Sequence, residues 1–344
     1  MTLPCLTVAE STSAPSIGEL GEQGVLALIF ARLAHGAPEP SALLVGPGDD
    51  TAYVQAAGAT LVTTDTMVRG QDWLDHWSSG TDVGAKVIVQ NLADIAAMGG
   101  VPTAVLVTLV APGSTSTQWV VDLIDGIAAT AHAAGVSVAG GDLSSSQDQV
   151  SVSVTALGVM GKDCGGPVLR SGALAGQVLA VSGPLGRSAA GLEVLRRGEE
   201  GWFPPEHRAR ACGQWVGYHC RPNPDLTQGP VAAAAGATSL IDISDGLVRD
   251  ANRLAHASGV RIDVDSAVLH QWVGPIADVL GPEAAAACVR AGGEEHVLLG
   301  TFARKNVPPG WFTLGDVLPA DAPGAGAFEA GQRLTGGGWD HFGG

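Results

Sequence analysis

One acid stands where an apolar helix should hold none. Residues 82–98 read as a helix closed by Gly99-Gly100. Asp94 lies inside its apolar stretch Ile88–Met98, where neither a cap nor a turn explains a carboxylate. Buried without a partner, such a group costs on the order of several kcal/mol or is forced neutral. The fold must therefore bring polar partners or a cation to the middle of that helix.

Other acids follow a pattern. Asp49-Asp50 come after Gly46-Pro47-Gly48, Asp65 after Leu61-Val62-Thr63-Thr64, and Asp142 after Ala139-Gly140-Gly141. Asp242 and Asp245 lie in Ile241-Asp242-Ile243-Ser244-Asp245-Gly246. These read as the ends of apolar strands beside Gly, Ser or Thr. Taken singly, each is better explained as a cap or a turn residue. If the strand ends converge, several carboxylates share one volume, and like charges that close need cations. Oxygen ligands without Cys or His point to Mg²⁺ or Mn²⁺ rather than zinc.

The surrounding periodicities predict helices over about 22–33, 82–98, 117–134, 187–197, 247–257 and 283–291, with a shorter helical piece at 232–235. Strands are predicted at 61–64, 103–110, 136–139, 150–160, 177–182, 240–243, 260–264, 296–301 and 311–317. Residues 199–227 read as a helical insertion with loops, and 320–344 as a Gly-rich tail. The mixture predicts an α+β or mixed α/β fold. We read a flexible tail (1–16), an N-terminal α/β domain (17–160) and a C-terminal α+β domain (161–344).

Composition narrows the function. With 34 acidic against 18 basic residues the net charge is −16, and Lys86, Lys162 and Lys305 are the only lysines. That excludes a nucleic-acid backbone and an anionic membrane surface as partners. No stretch reads as a signal peptide or a membrane span, so a cytoplasmic protein is expected. The cysteines, Cys5, Cys164, Cys212, Cys220 and Cys288, are widely spaced and suggest neither a disulfide framework nor zinc. Cys212 and Cys220 near His207 and His219 fit no common ligand spacing. G-x-x-x-x-G-K-[ST], a strand-borne G-x-G-x-x-G, H-R-D and G-x-S-x-G are all absent. A nucleotide enzyme of this sequence would bind phosphate through bridging metal ions.

Six segments in register carry a resemblance. They are Gly48-Asp49-Asp50, Thr63-Thr64-Asp65-Thr66, Asn91-Leu92-Ala93-Asp94-Ile95-Ala96-Ala97-Met98-Gly99, Gly140-Gly141-Asp142, Asp242-Ile243-Ser244-Asp245-Gly246 and Gly292-Gly293-Glu294-Glu295. Their order and spacing resemble the thiamine-monophosphate kinase family, within the ATP-using aminoimidazole ribonucleotide synthetase-like superfamily, from about Gly21 onward. The resemblance implies a homodimer whose N-terminal sheets pair, with ATP between the two domains of a subunit. It implies Mg²⁺ held by Asp50, Asp65, Asp94, Asp142, Asp242 and Asp245, with oxygens from Thr63 and Thr64. It implies nucleotide contacts from Gly141, Asp142, Arg170 and Ser244, and a thiamine monophosphate pocket lined by Glu294 and Trp339. Catalysis would rest on Arg170, Asp142 and Asp245, through alignment and charge neutralisation, with no general base or phosphoenzyme.

The chain departs from the family pattern at Val68-Arg69-Gly70-Gln71-Asp72-Trp73, where Asp72 stands in place of a substrate-contacting His. Either His76 substitutes, or the acceptor pocket differs, with Asp72 facing the cationic thiazolium. Glu295-His296 likewise replaces a more usual Asp-Tyr. Two rival classes are another enzyme of the superfamily, such as selenophosphate synthetase or the hydrogenase-maturation type, and a non-catalytic nucleotide- or metal-binding regulator. Cys5 lacks the Gly-rich surround of selenophosphate synthetase, the Phe342-Gly343-Gly344 end lacks the terminal Cys of the hydrogenase-maturation type, and a regulator would have lost ligands that are all present here.

Overall fold

The computed structural model describes residues 14–34, 43–45, 53–54, 58–161, 165–204, 206–320 and 324–335. Helix α1 (Ile17–Ala34) and the short ladder of β1 (Leu43–Val45) with β2 (Tyr53–Val54) precede β3 (Leu61–Val68), α2 (Gly80–Ala97), β4 (Gly100–Pro112), α3 (Thr117–Ala133), β5 (Ser137–Ser146) and β6 (Ser151–Met160). The last four strands form one sheet in the order β3-β6-β4-β5, antiparallel except for the β4–β5 pair.

The second half holds β7 (Val178–Val181), α4 (Arg187–Glu199), α5 (Ala209–Cys220), α6 (Gln228–Ala234), β8 (Ser239–Asp242), α7 (Leu247–Ser258), β9 (Val260–Val264), α8 (Ser266–Leu280), α9 (Pro282–Ala291), β10 (Leu298–Phe302), β11 (Phe312–Pro319), β12 (Gly326–Glu329) and β13 (Gln332–Arg333). These seven strands make a sheet in the order β13-β12-β9-β11-β7-β10-β8. The two sheets with their helices make this a mixed α/β fold.

Each sheet has its own apolar core. In the first, Met67, Val105, Val107, Val152, Val154 and Ala156 alternate inward and pack on Val87, Ile88, Leu92 and Ile95 of α2. In the second, Leu179, Val181, Ile262, Leu299 and Leu314 pack with Leu247, Leu254 and Val289 of α7 and α9. A third cluster joins Ala96 and Ala97 of α2 to Leu240, Leu298, Phe302 and Trp311. The end of α2 is thereby seated on the second sheet.

Several element boundaries differ from expectation, each for a physical reason. β3 runs on through Asp65 to Val68, and β5 runs through Gly140-Gly141-Asp142 instead of stopping there. Gly141 serves close approach, not a turn: a Cβ there would sit 1.8 Å from the Val107 carbonyl oxygen. Asp65 and Asp142 are thus mid-strand. Helix α8 was not expected at all, since Gly274-Pro275 interrupts the periodic reading; Asp265 caps it by accepting from the Ala267 amide at 2.8 Å. Within the expected tail, β12 pairs parallel with β9.

Candidate active site at the junction of the two sheets

Helix α2 is the site's frame. Ser79 and Asp82 start it with a capping box: the Asp82 amide donates to Ser79 Oγ at 3.3 Å and the Ser79 amide to Asp82 Oδ2 at 3.0 Å. On one side it crosses α3 through small residues. A Cβ on Gly84 would lie 2.1 Å from the Leu123 carbonyl oxygen, and one on Gly126 would lie 2.2 Å from that of Thr81. On the other side it meets the inner face of the first sheet.

There Asn91, fully buried, stitches helix to strand. Its Nδ2 donates to the Val87 carbonyl at 2.8 Å, and its Oδ1 accepts the Asp65 amide at 3.0 Å. Three residues on, and so on the same face, Asp94 accepts a hydrogen bond from Thr63 Oγ1 at 2.7 Å. Burial pushes the Asp94 carboxyl up to about 6, the nearby carboxylates of Asp242 and Asp65 push the same way, and the Thr63 hydroxyl opposes them. Acids from β3, α2 and β8 therefore share one neighbourhood.

Asp242 ends β8 and is 3% exposed. Its Oδ2 lies 3.2 Å from Nδ1 of buried His296, which we assign as the donor. Burial lowers the His296 pKa, but the bond to Asp242 and the charges of Asp242 and Glu294 outweigh it and leave it raised. Beyond β8, the Asp245 amide donates to Asp250 Oδ2 at 3.1 Å, and Arg253 bridges Asp245 and Asp250. Burial, with Asp242 second, pushes the Asp250 carboxyl up to about 7.

The opposite wall is the segment 292–297. Glu294 and His296 both have left-handed backbones, φ 59° and 54°, strain on the order of 1–3 kcal/mol each. Backbone bonds hold them: the Glu294 amide to the Ser244 carbonyl at 2.8 Å and the His296 amide to that of Ile243 at 2.9 Å. Glu294 Oε1 lies 2.6 Å from Nζ of Lys86, a buried lysine of α2. Burial pushes the Glu294 carboxyl up, but above all the Lys86 ammonium outweighs it and holds it below the usual carboxylate range. His219 itself is driven down to about 4 by burial and then by Lys86, so its 3.3 Å contact with Glu294 is made by a neutral ring at neutral pH. Fully buried Glu295 binds the Ser188 amide at 2.8 Å and Arg187 Nε at 3.3 Å.

The structure brings together Thr63, Asp65, Asp94, Asp242 and Glu294, with Ser244 and Asp245 in the loop that follows Asp242. It does not bring Asp142 to them within one chain. Thr108 pairs with both Asp142 and Ser153, and Ser153 with Thr66, so Asp142 stands on the far edge of the sheet, in the Thr66 row. Three strand spacings, about 14 Å, separate those edges. Asp142 also points to the outer face, whereas Asp65 points to α2. Thr64 shares that outer face and donates to the Val154 carbonyl at 3.0 Å. Gly141, beside Asp142, is on the same far edge.

Arg170 is exposed in a turn after Gly165–Leu169, and among the described residues its guanidinium forms no ion pair. A groove of about 350 Å³ lies beside it, between that segment and Ala233, Ala237 and Thr238. Asp72 accepts from the Val68 amide at 2.7 Å and so closes the turn after β3, while exposed His76 bonds Glu199. Asp50 and Trp339 lie outside the described residues, as do Cys5 and Cys164. Cys212, Cys220 and Cys288 are buried free thiols, and His219 is engaged with Ser188 and Glu294. Among the described residues no three His, Cys, Asp or Glu side chains close on a point tightly enough to hold an ion alone. Sequence reasoning gives no role to Lys86 or to Asn91, although Asn91 heads one of the segments that carry the resemblance. The available signal was a charge and an amide on an apolar helix, the same signal that singled out Asp94.

Known proteins resemble this geometry and this sequence. The family described as AIR synthase related protein, N-terminal domain, matches residues 48–160. The thiamine-monophosphate kinase of Mycobacterium tuberculosis strain H37Rv is 43% identical over 338 residues, covering 97% of this chain and 95% of the relative. The crystal structure of thiamine-monophosphate kinase from Stenotrophomonas maltophilia K279a superposes with a TM-score of 0.75 at 28% identity, over 90% of this chain and 96% of that one. A protein called AaThiL, solved in complex with AMPPCP and TMP, gives 0.73 at 31% identity, over 94% of this chain and 98% of that one.

Proposed function

The chain belongs to the thiamine-monophosphate kinase family, and from that premise we propose that it transfers the γ-phosphoryl group of ATP to the terminal phosphate of thiamine monophosphate, giving thiamine diphosphate and ADP. The observation that carries this reading is the trio Asp65, Asp94 and Asp242, with Asp94 pushed up to about 6 by burial and its acidic neighbours. Such a cluster is costly alone and is relieved by cations. Its donors are hard oxygens, which suits Mg²⁺, and a magnesium ion needs only one or two carboxylates when phosphate oxygens and water complete its shell.

In this reading Asp65, Asp94, Asp242 and Asp245 hold Mg²⁺ together with Asp50, and Thr63 orients Asp94. Mg²⁺ held by these carboxylates would supply positive charge against the phosphate groups during transfer. Ser244 and Arg170 meet the nucleotide phosphates. Glu294, Asp72 and Trp339 line the acceptor pocket. An oxygen of the acceptor phosphate forms the new bond to the γ-phosphorus as the bond to the β–γ bridging oxygen breaks, and ADP departs with that electron pair. The acceptor is already an anion, so no residue need take its proton. Asp245, held by Arg253, and Asp94, held by Thr63, are kept in fixed orientations, which supplies alignment.

We extend the reading to a pair of copies, which the exposed apolar residues on the outer face of the first sheet support. Val62 is 63% exposed and Leu106 39%, in rows with Leu157 and Thr155. A second copy would cover this face. It would also set the β5 edge of one copy beside the β3 edge of the other, so that Gly141 and Asp142 of one chain reach the site of its mate. Leu106→Asp is expected to convert a dimer to a monomer in sedimentation velocity and to lower activity at least 100-fold; a fully active dimer would refute the pairing.

The activity itself is tested by ADP release from MgATP with and without thiamine monophosphate, the product identified by mass. Stoichiometric thiamine diphosphate and ADP is the expected result. Nucleotide binding without acceptor-dependent turnover would overturn the reading and favour a binding-only regulator. No described helix is long and apolar enough to cross a membrane.

A further inference from the structure

Lys86 is one of three lysines in the chain, and it sits among Val83, Gly84, Ala85, Val87, Ile88 and Val89 with 4% of its side chain exposed. An ammonium so placed is tolerated only when paired. Its one ion-pair partner among the described residues is Glu294, across the junction of the two sheets. Glu294 is the first of three consecutive residues whose side chains go, between them, to four different elements. Glu294 reaches Lys86 on α2 and His219 on α5, Glu295 reaches Arg187 and Ser188 on α4, and His296 reaches Asp242 on β8. Of these anchors only Lys86 belongs to the first half of the chain. It lies on the helix that also carries Asn91 and Asp94.

We propose that Lys86 is a positioning residue for phosphoryl transfer: by gripping the Glu294 carboxylate it sets the spacing between the α2 wall, with Asp94, and the 292–297 wall, whose His296 orients Asp242. The proposal rests on the function given above. Lys86 acts through Glu294 and does not touch substrate, since its ammonium is buried and already bound at 2.6 Å. About a third of the Glu294 side chain remains exposed. The left-handed backbones at Glu294 and His296 keep the wall in a shape the chain would leave once its anchor is lost.

The test compares Lys86→Met, Lys86→Arg, Glu294→Gln and the Lys86→Met/Glu294→Gln double variant. The readouts are kcat, KM for each substrate, and amide hydrogen exchange across 292–297. Misplacement by about an ångström lowers rates on the order of 100-fold. Lys86→Met is therefore expected to lose about that much in kcat, with KM for ATP changed less than about threefold, and to exchange faster across 292–297. Lys86→Arg recovers part of the rate, and the double variant is no worse than Lys86→Met. A folded Lys86→Met with wild-type kcat and wild-type exchange overturns the proposal. Losses in kcat that multiply in the double variant, or a rise confined to KM for ATP, overturn it in favour of direct phosphate binding by Lys86; the pocket contact of Glu294 itself is read separately, in KM for thiamine monophosphate. If Lys86→Met does not fold, Lys86→Arg and Glu294→Gln carry the same comparison. Failure of the wild type to phosphorylate thiamine monophosphate would instead reject the function, and the exchange of 292–297 would still decide the role of Lys86.

Discussion

Replacing Asp94 with Asn is expected to abolish phosphoryl transfer and to make the protein more stable. Asn keeps an oxygen for the Thr63 hydroxyl, so the 2.7 Å bond survives. What disappears is a carboxyl whose pKa is raised from 3.8 to about 6. A rise of that size corresponds to roughly 3 kcal/mol of penalty on the ionised form, at 1.36 kcal/mol per unit. The sign follows from proton binding. Between the two pKa values the folded state holds more protons than the unfolded one, so wild-type stability falls as pH rises through that window and is level above it. The gain from Asp94→Asn should therefore be full at pH 8, shrink as pH is lowered through about 6 and vanish near pH 4. Thermal unfolding at pH 4, 6 and 8 without metal checks this. A variant no more stable than wild type at pH 8 would show that Asp94 is not strained by its neighbours. Activity should drop at least 1,000-fold, because on the proposed reading a charged ligand of the Mg²⁺ that faces the reacting phosphates is lost.

The second large effect is expected far from the cleft. A Cβ on Gly84 would lie 2.1 Å from the Leu123 carbonyl oxygen, which is backbone and cannot step aside without moving α3. Val adds two further carbons. Overpacking of this kind costs typically about 1–3 kcal/mol and more where backbone must shift, and Gly84→Val should sit at or above the top of that range. Because α2 also carries Lys86, Asn91 and Asp94, the displacement reaches the site. We expect a destabilised protein in urea unfolding whose residual folded fraction turns over more slowly than wild type. Unchanged unfolding with unchanged kcat would mean that the α2–α3 crossing has slack.

Much of this could be read in advance, and the misses share a cause. Helix α2 was legible because its apolar face is long, and Asp94 within it announced a polar neighbourhood. β3 and β5 were cut short because Asp65 and Gly140-Gly141-Asp142 look like turn chemistry. In the fold, the Asp65 amide is satisfied by Asn91, and Gly141 admits the Val107 backbone. Both are long-range facts with no local signature. Asp142 looked like one more member of a converging set, but which edge and which face it occupies depends on strand order, and strand order is not periodic. The Lys86–Glu294 pair was invisible for the same reason: nothing near either residue names the other.

The position of Asp142 has a genetic consequence. On the dimer proposed above, each site is assembled from two polypeptides, one giving Asp65 and Asp94 and the other Asp142. A subunit damaged only at Asp142 would then spoil its mate's site while keeping its own acids sound. Two alleles, one lost at Asp65 and one at Asp142, could each be null alone and yet complement in the same cell, since a mixed pair keeps one complete site. Paired with a wild-type subunit, a mutant at either position would still leave one complete site of the two, so both lesions would be recessive and only the mixed mutant pair would reveal that the site is shared.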